Sequence, residues 1–146
     1  MTMKKLFMAI LGAALLVGLL ALPMASGART VINCTTLVEN GEPASMATPV
    51  TLNSTTNHTI ALYPGTLLRV VESGGSPGGV TITVLAGDDP PAFRSSLGNL
   101  TVTIANATSE TWIGPFESAR FVNETGYLLV NTNSTDGTIE AFKFPV

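Results

Sequence analysis

Two stretches, Val80–Leu85 and Leu100–Ala105, set an apolar residue against threonine at every second position. A period of two sends alternate side chains to opposite faces of an extended strand, so such a stretch buries one face and solvates the other. It cannot make the continuous apolar stripe of a helix, and its β-branched Val, Ile and Thr are stiff residues that favour pleated backbone. Thr30–Val38, Val50–Leu52, Thr59–Leu62, Leu67–Glu72, Ala119–Val122, Tyr127–Asn131 and Thr138–Phe144 are further strand candidates. Turn-forming Gly, Pro and Asn separate them at Pro64–Gly65, Gly74–Gly79, Gly87–Pro91, Asn123–Gly126 and Asn133–Gly137. Short strands at this spacing predict an all-β fold, an antiparallel sandwich that is jelly-roll-like or immunoglobulin-like.

The first residues carry a different signal. Lys4 and Lys5 precede an uncharged stretch from Leu6 to Leu22, and Pro23 leads into the small residues Ala25–Ala28. That order is the pattern of an export signal, with cleavage expected after Ala25, Gly27 or Ala28. The stretch also sits at the short edge of membrane-spanning length, which gives a retained leader as the only expected membrane contact. The expected organisation is a signal peptide over 1–28, an extended segment over 29–48 and one β-sandwich domain over 49–146. Past residue 28 the chain has 5 Lys and Arg against 10 Asp and Glu. Nucleic acid and anionic lipid surfaces need a basic footprint, so neither is an expected partner. Cys34 is the single cysteine, so no internal disulfide can form and an intermolecular bridge through Cys34 is the one disulfide open to the chain.

Seven Asn-x-Thr triplets, at Asn33, Asn53, Asn57, Asn99, Asn106, Asn123 and Asn133, then dominate the functional reading. Each lacks Pro in the middle and matches the acceptor pattern for N-linked glycan. From Arg29 onward there are 9 Asn and 28 Ser or Thr in 118 residues, a composition that would place only about two such triplets by chance. Asn99 and Asn106 flank a strand candidate and Asn123 and Asn133 fall in turns, where a bulky sugar is tolerated.

Chemistry-bearing residues are few. His58 is the only histidine, which excludes a histidine-built metal site, and it is expected in an exposed loop. A Ser-His-Asp arrangement would need His58 as its base, and the chain has no Gly-x-Ser-x-Gly elbow. Gly74–Gly79 lacks the Gly-Lys-Ser/Thr of a phosphate cradle and precedes a strand, so it is expected as a hairpin loop. Asp88 and Asp89 offer too few oxygens for calcium, which takes six to eight, and are expected as turn formers. Glu110, Glu117, Glu124 and Glu140 have no spacing that marks a catalytic carboxylate pair. No cofactor, metal or enzymatic activity is expected. Trp112, Phe116 and Phe121 are expected in the core, with Phe93 and Leu97 capping it behind Pro90–Pro91. Arg94 and Arg120 are expected to pair with Glu117, Asp88 or Asp89 and to pin the 88–97 loop.

Gly87–Ile104, Trp112–Phe121 and the closing Gly137–Pro145 together resemble small β proteins encoded among phage head genes. The likeness runs from about Val50 to Val146, and the leader and the triplets fall outside that pattern. The resemblance implies a β-sandwich and a non-enzymatic, virion-surface or head-associated role. Export and N-glycosylation point to an archaeal or eukaryotic cell, and the phage-like strings to an archaeal one. The expected function is a structural or assembly protein of a cell surface or extracellular filament, which self-associates or packs against neighbouring surface proteins. One route is strand addition, in which the Arg29–Thr48 segment pairs with the next subunit. The alternatives are a monomeric carbohydrate- or protein-binding module and a head-associated decoration protein.

Overall fold

The computed structural model describes residues 28–38, 48–88, 97–106 and 109–145. The leader, Asp89, Pro90, Pro91, Phe93, Arg94 and the 39–47 connection lie outside the described residues. The described chain forms β1 (Thr30–Ile32), β2 (Cys34–Thr36), β3 (Val50–Thr51), β4 (His58–Ala61), β5 (Leu67–Glu72), β6 (Val80–Val84), β7 (Leu100–Ile104), β8 (Glu110–Ile113), a single helical turn α1 (Ser118–Phe121), β9 (Tyr127–Thr132) and β10 (Gly137–Lys143).

The pairing follows one rule from β3 onward. The hairpin β6–β7 continues outward as β5–β8, then β4–β9, then β3–β10, every pair antiparallel. The eight strands are therefore one long ribbon. Rolling that ribbon adds the pairs β5–β10 and β6–β9, giving one sheet ordered β3-β10-β5-β8 and a second ordered β4-β9-β6-β7. This is jelly-roll connectivity, the first of the two expected sandwich types.

The described part of the 29–48 segment, expected outside the sandwich, is paired into it over residues 30–36. β1 runs parallel to β4 on one sheet, the chain steps across at Asn33, and β2 runs parallel to β10 on the other. Both sheets are consequently mixed where an antiparallel sandwich was expected. The reason is geometric: β4 and β10 run the same way, so a straight arm laid along the seam meets both in parallel.

The core forms where the two period-two patterns face each other. Leu68 and Val70 of β5, Ile82 and Val84 of β6, Leu128 and Val130 of β9 and Ile139 and Ala141 of β10 are all buried, with Ile32 of the arm closing one side. Full burial of each such side chain is worth roughly 1.5–3 kcal/mol, which lets the domain hold without a disulfide. The opposite face of the β6–β7 hairpin carries Thr81, Thr83, Thr101 and Thr103, which register as cross-strand pairs and leave that face uncharged.

Two local expectations fail. Ala119–Val122, expected as a strand, is mostly α1, closed by the Val122 amide on the Ser118 carbonyl at 3.1 Å. That turn brings Phe121 edge-on to Phe116, with centroids 5.7 Å apart, and both rings are buried as expected. Trp112 is the exception among the aromatics: it is 50% exposed, on the outer face of β8. Alternation requires this, because its neighbour Ile113 takes the inward position opposite Leu68.

Arg120 holds the chain near residue 97 through backbone carbonyls, while Arg94 and Asp89 of the expected pairing lie outside the described residues. Its Nη2 donates to the Leu97 and Gly98 carbonyls at 3.1 and 3.2 Å, and its guanidinium lies 4.5 Å from the Phe121 ring centre. Arg120→Ala is expected to lower stability by about 1 kcal/mol, the usual net value of such bonds. An unchanged midpoint in thermal unfolding would show that the contact is idle.

Candidate functional site

Strand direction sorts the seven triplets between the two ends of the sandwich. The end at which β4 begins holds residues 52–57, 105–106 and 133–136, and with them Asn53, Asn57, Asn106 and Asn133. Asn99 and Asn123 lie at the opposite end, and Asn33 sits on the edge where the arm changes sheets. Asn33, Asn99, Asn106 and Asn133 are exposed, Asn53, Asn57 and Asn123 are half-buried, and none lies in the core.

Five of these side chains are also oriented alike. Asn53 Oδ1 accepts from the Thr55 and Thr56 amides, both at 2.9 Å. Asn57 Oδ1 accepts from the Thr132 amide at 3.0 Å, Asn99 Oδ1 from the Ala86 amide at 2.8 Å and Asn133 Oδ1 from the Thr81 amide at 2.8 Å. Asn123 Oδ1 takes three donors: the Thr125 amide, the Thr125 hydroxyl at 2.9 Å and the Tyr127 amide at 2.8 Å. Backbone N–H groups can only donate, so each fixes the carboxamide oxygen toward the backbone amide it meets. The nitrogen, the atom that an N-glycan bonds, is left facing away from these contacts. Asn57 reaches its position with φ of 57°, a left-handed conformation that Asn tolerates better than most residues.

His58 is not in an exposed loop. It is the first residue of β4 and fully buried, because it takes the inward side of the same alternation as Ile60. Its Nε2 accepts from the Asn53 amide at 3.1 Å, which places the ring proton on Nδ1, a buried atom with no hydrogen-bond partner. With its lone pair occupied the ring cannot act as a general base for a serine. Burial first, and the nearby Arg29 charge second, push its basicity below the ordinary 6.5. A base that is harder to protonate when folded contributes stability above its unfolded pKa and loses it as pH falls. Stability should therefore decline below about pH 6.5, and His58→Gln should flatten that decline relative to wild type. Denaturant unfolding at pH 7.5 and pH 5 measures the difference, and parallel losses in both proteins would refute it.

Among the described residues the ion pairs lie on the outer face of the β10-β5-β8 sheet. Arg69 of β5 donates Nη1 to Glu140 Oε2 at 2.5 Å and Nη2 to Glu110 Oε2 at 2.7 Å. Glu140 is only 2% exposed, whereas Glu110 is open to solvent. Glu110 Oε1 accepts from Trp112 Nε1 at 2.8 Å, and the Trp112 ring lies 5.4 Å from that of Phe142. The Arg69 bond, and then the Trp112 bond, hold the Glu110 carboxyl below its usual range. The cluster came from none of the residue spacings, because its members are 41 and 71 positions apart and meet only through strand pairing.

Cys34 faces the core from β2, and its thiol donates to the Ala61 carbonyl at 3.5 Å. Burial pushes its pKa up, which disfavours the thiolate needed for disulfide exchange. Asp88, expected as a turn former, accepts from the Glu124 amide at 3.3 Å. Among the described residues no three of His, Cys, Asp and Glu come together as a metal set, and no helix is long and apolar enough to cross a membrane. Two open clefts at the Asn99 and Asn123 end, of about 260 and 230 Å³, both draw on Phe116, and each falls below the size usual for small-molecule sites. Comparison of the chain with protein families, curated proteins and solved structures finds no match.

Proposed function

We propose that this protein is an exported, N-glycosylated structural or assembly subunit of a cell surface or extracellular filament, and not an enzyme. The observation that carries the reading is the set of sequon asparagines. All seven lie outside the core, and five have the carboxamide oxygen held by backbone amides, which turns the nitrogen away from those contacts. The uncharged threonine face and the single half-buried cysteine suit a subunit that packs against like neighbours outside the cell.

A second reading has its own support. Trp112 is exposed beside Glu110 and Arg69, and a flat aromatic ring flanked by charged hydrogen-bonding groups is a common platform for a sugar ring or a peptide. That arrangement favours a monomeric binding module. Sedimentation across a hundredfold range of concentration separates the two. Growth of large species supports the structural subunit. A monomer throughout that binds glycans in an array, and loses them on Trp112→Ala, supports the module.

A further inference from the structure

We propose that residues 28–38 are an exchangeable arm, and that copies of this chain join by laying that arm along the seam of the next copy. The proposal rests on the structural-subunit reading and names its partner, a second copy of the chain.

The ribbon from β3 to β10 closes without the arm. Each of its pairs is antiparallel and lies within residues 50–143, so nothing in its topology waits for residues 28–38. The arm is an addition of a different kind, parallel to both strands it meets. It fills a slot made from two open edges. Thr30, Val31 and Ile32 register against His58, Thr59 and Ile60, and Cys34, Thr35 and Thr36 against Ala141, Phe142 and Lys143. An empty slot would expose two rows of unpaired backbone groups and the apolar side chains beneath them, the situation in which a sheet recruits another strand.

Side-chain contacts make the slot selective for this sequence. Ile32 inserts to 3% exposure, and Cys34 reaches the Ala61 carbonyl. Arg29 donates to the His58 carbonyl at 3.2 Å and to Asn131 Oδ1 at 2.9 Å. Asn33 turns outward between the halves, so sugar on it would not block seating.

A second copy's arm makes the same contacts, so the choice between its own body and a neighbour's is set by local concentration. A tethered arm competes at an effective concentration in the millimolar range, which subunits crowded on a surface can match. Nine residues, 39–47, separate the described arm from Thr48, and a chain of nine residues can span at most about 30 Å, which sets how far a neighbouring slot can lie. Each copy would give one arm and receive one. That is a head-to-tail contact, and it propagates as an open filament unless rotation closes it into a ring.

The test places cysteines on the arm and on the slot: Thr36→Cys with Lys143→Cys, in a Cys34→Ser background. The two positions are register partners, within disulfide reach of each other. Neither change touches a sequon Asn or its Thr. The full-length variant is assembled at high density, oxidised, and run on a non-reducing denaturing gel. A ladder of covalent multimers is expected, with single-cysteine controls stopping at dimers. Internally bridged monomers from pelleted assemblies would overturn the arm proposal and leave a structural role standing. Wild-type protein that never sediments as more than a monomer removes the structural role itself. If the first variant does not fold, Val31→Cys with Thr59→Cys reads the other half of the slot, at the cost of the Asn57 sequon.

Discussion

Arg69→Met is expected to cost about 3 kcal/mol or more of folding stability, the loss typical of removing one partner of a buried ion pair. Glu140 decides the size. Its carboxylate is almost wholly withdrawn from water, and Arg69 Nη1 at 2.5 Å is its charge partner. Deleting the guanidinium leaves a desolvated anion without its charge partner. Glu110 is the contrast, since it binds the same guanidinium from an exposed position where water takes over the lost contact. Glu110→Gln should therefore shift the unfolding midpoint far less. The double change Arg69→Met with Glu140→Leu should recover most of the loss, because apolar side chains of similar volume remove the desolvation along with the attraction. Urea unfolding of the four proteins at pH 7 gives the comparison. A single variant as stable as wild type, or a double variant worse than the single, would show that the pair is not what holds this face.

The second large effect is expected at Gly137, where β10 begins. Its φ is +141°, and a Cβ built there would come within 2.3 Å of the Val71 carbonyl oxygen and 3.2 Å of Leu52 Cδ1. The carbonyl belongs to the paired strand β5, so it cannot move without breaking the register of the sheet's central pair. The backbone conformation alone costs a residue with a side chain about 1–3 kcal/mol. Adding the clash, Gly137→Ala should lose at least about 3 kcal/mol or fail to accumulate as folded protein. Gly78→Ala is the control, because a Cβ there meets nothing within 4 Å. Equal stability of the two variants would show that the start of β10 is looser than its contacts require.

Both predictions depend on which strands are neighbours, and that was the part of the fold least legible beforehand. The local period was legible: Leu67–Glu72 matches its expected limits, and Val80–Val84, Leu100–Ile104 and Tyr127–Thr132 differ from theirs by one residue at an end. Those stretches alternate cleanly, and alternation is a local property. Glu110–Ile113 was missed as a strand because its inward side offers only Thr111 and Ile113, while its largest residue, Trp112, points out. The Ala119–Val122 stretch has apolar ends but only one turn of chain between Phe116 and Phe121, and packing those two rings favours helix over strand. His58 stands one residue before the expected strand start at Thr59, and the β4 alternation through Ile60 carries it to the inward side. The ribbon rule and the Arg69 cluster are non-local, and no window of the sequence contains them.

For the candidate site the balance is reversed. The seven asparagines were legible as a motif, whereas the orientation that five of them share needed the fold, since the donors to Asn57, Asn99 and Asn133 come from residues 75, 13 and 52 positions away.

The most direct test of the central claim is native mass spectrometry of the protein taken from the surface fraction of its own host. The predicted result is a large assembly whose subunits begin between Ser26 and Arg29 and are heavier than the chain by several glycans. A bare monomer that keeps Met1 would contradict both export and glycosylation, and would return the protein to a head-associated role inside the cell.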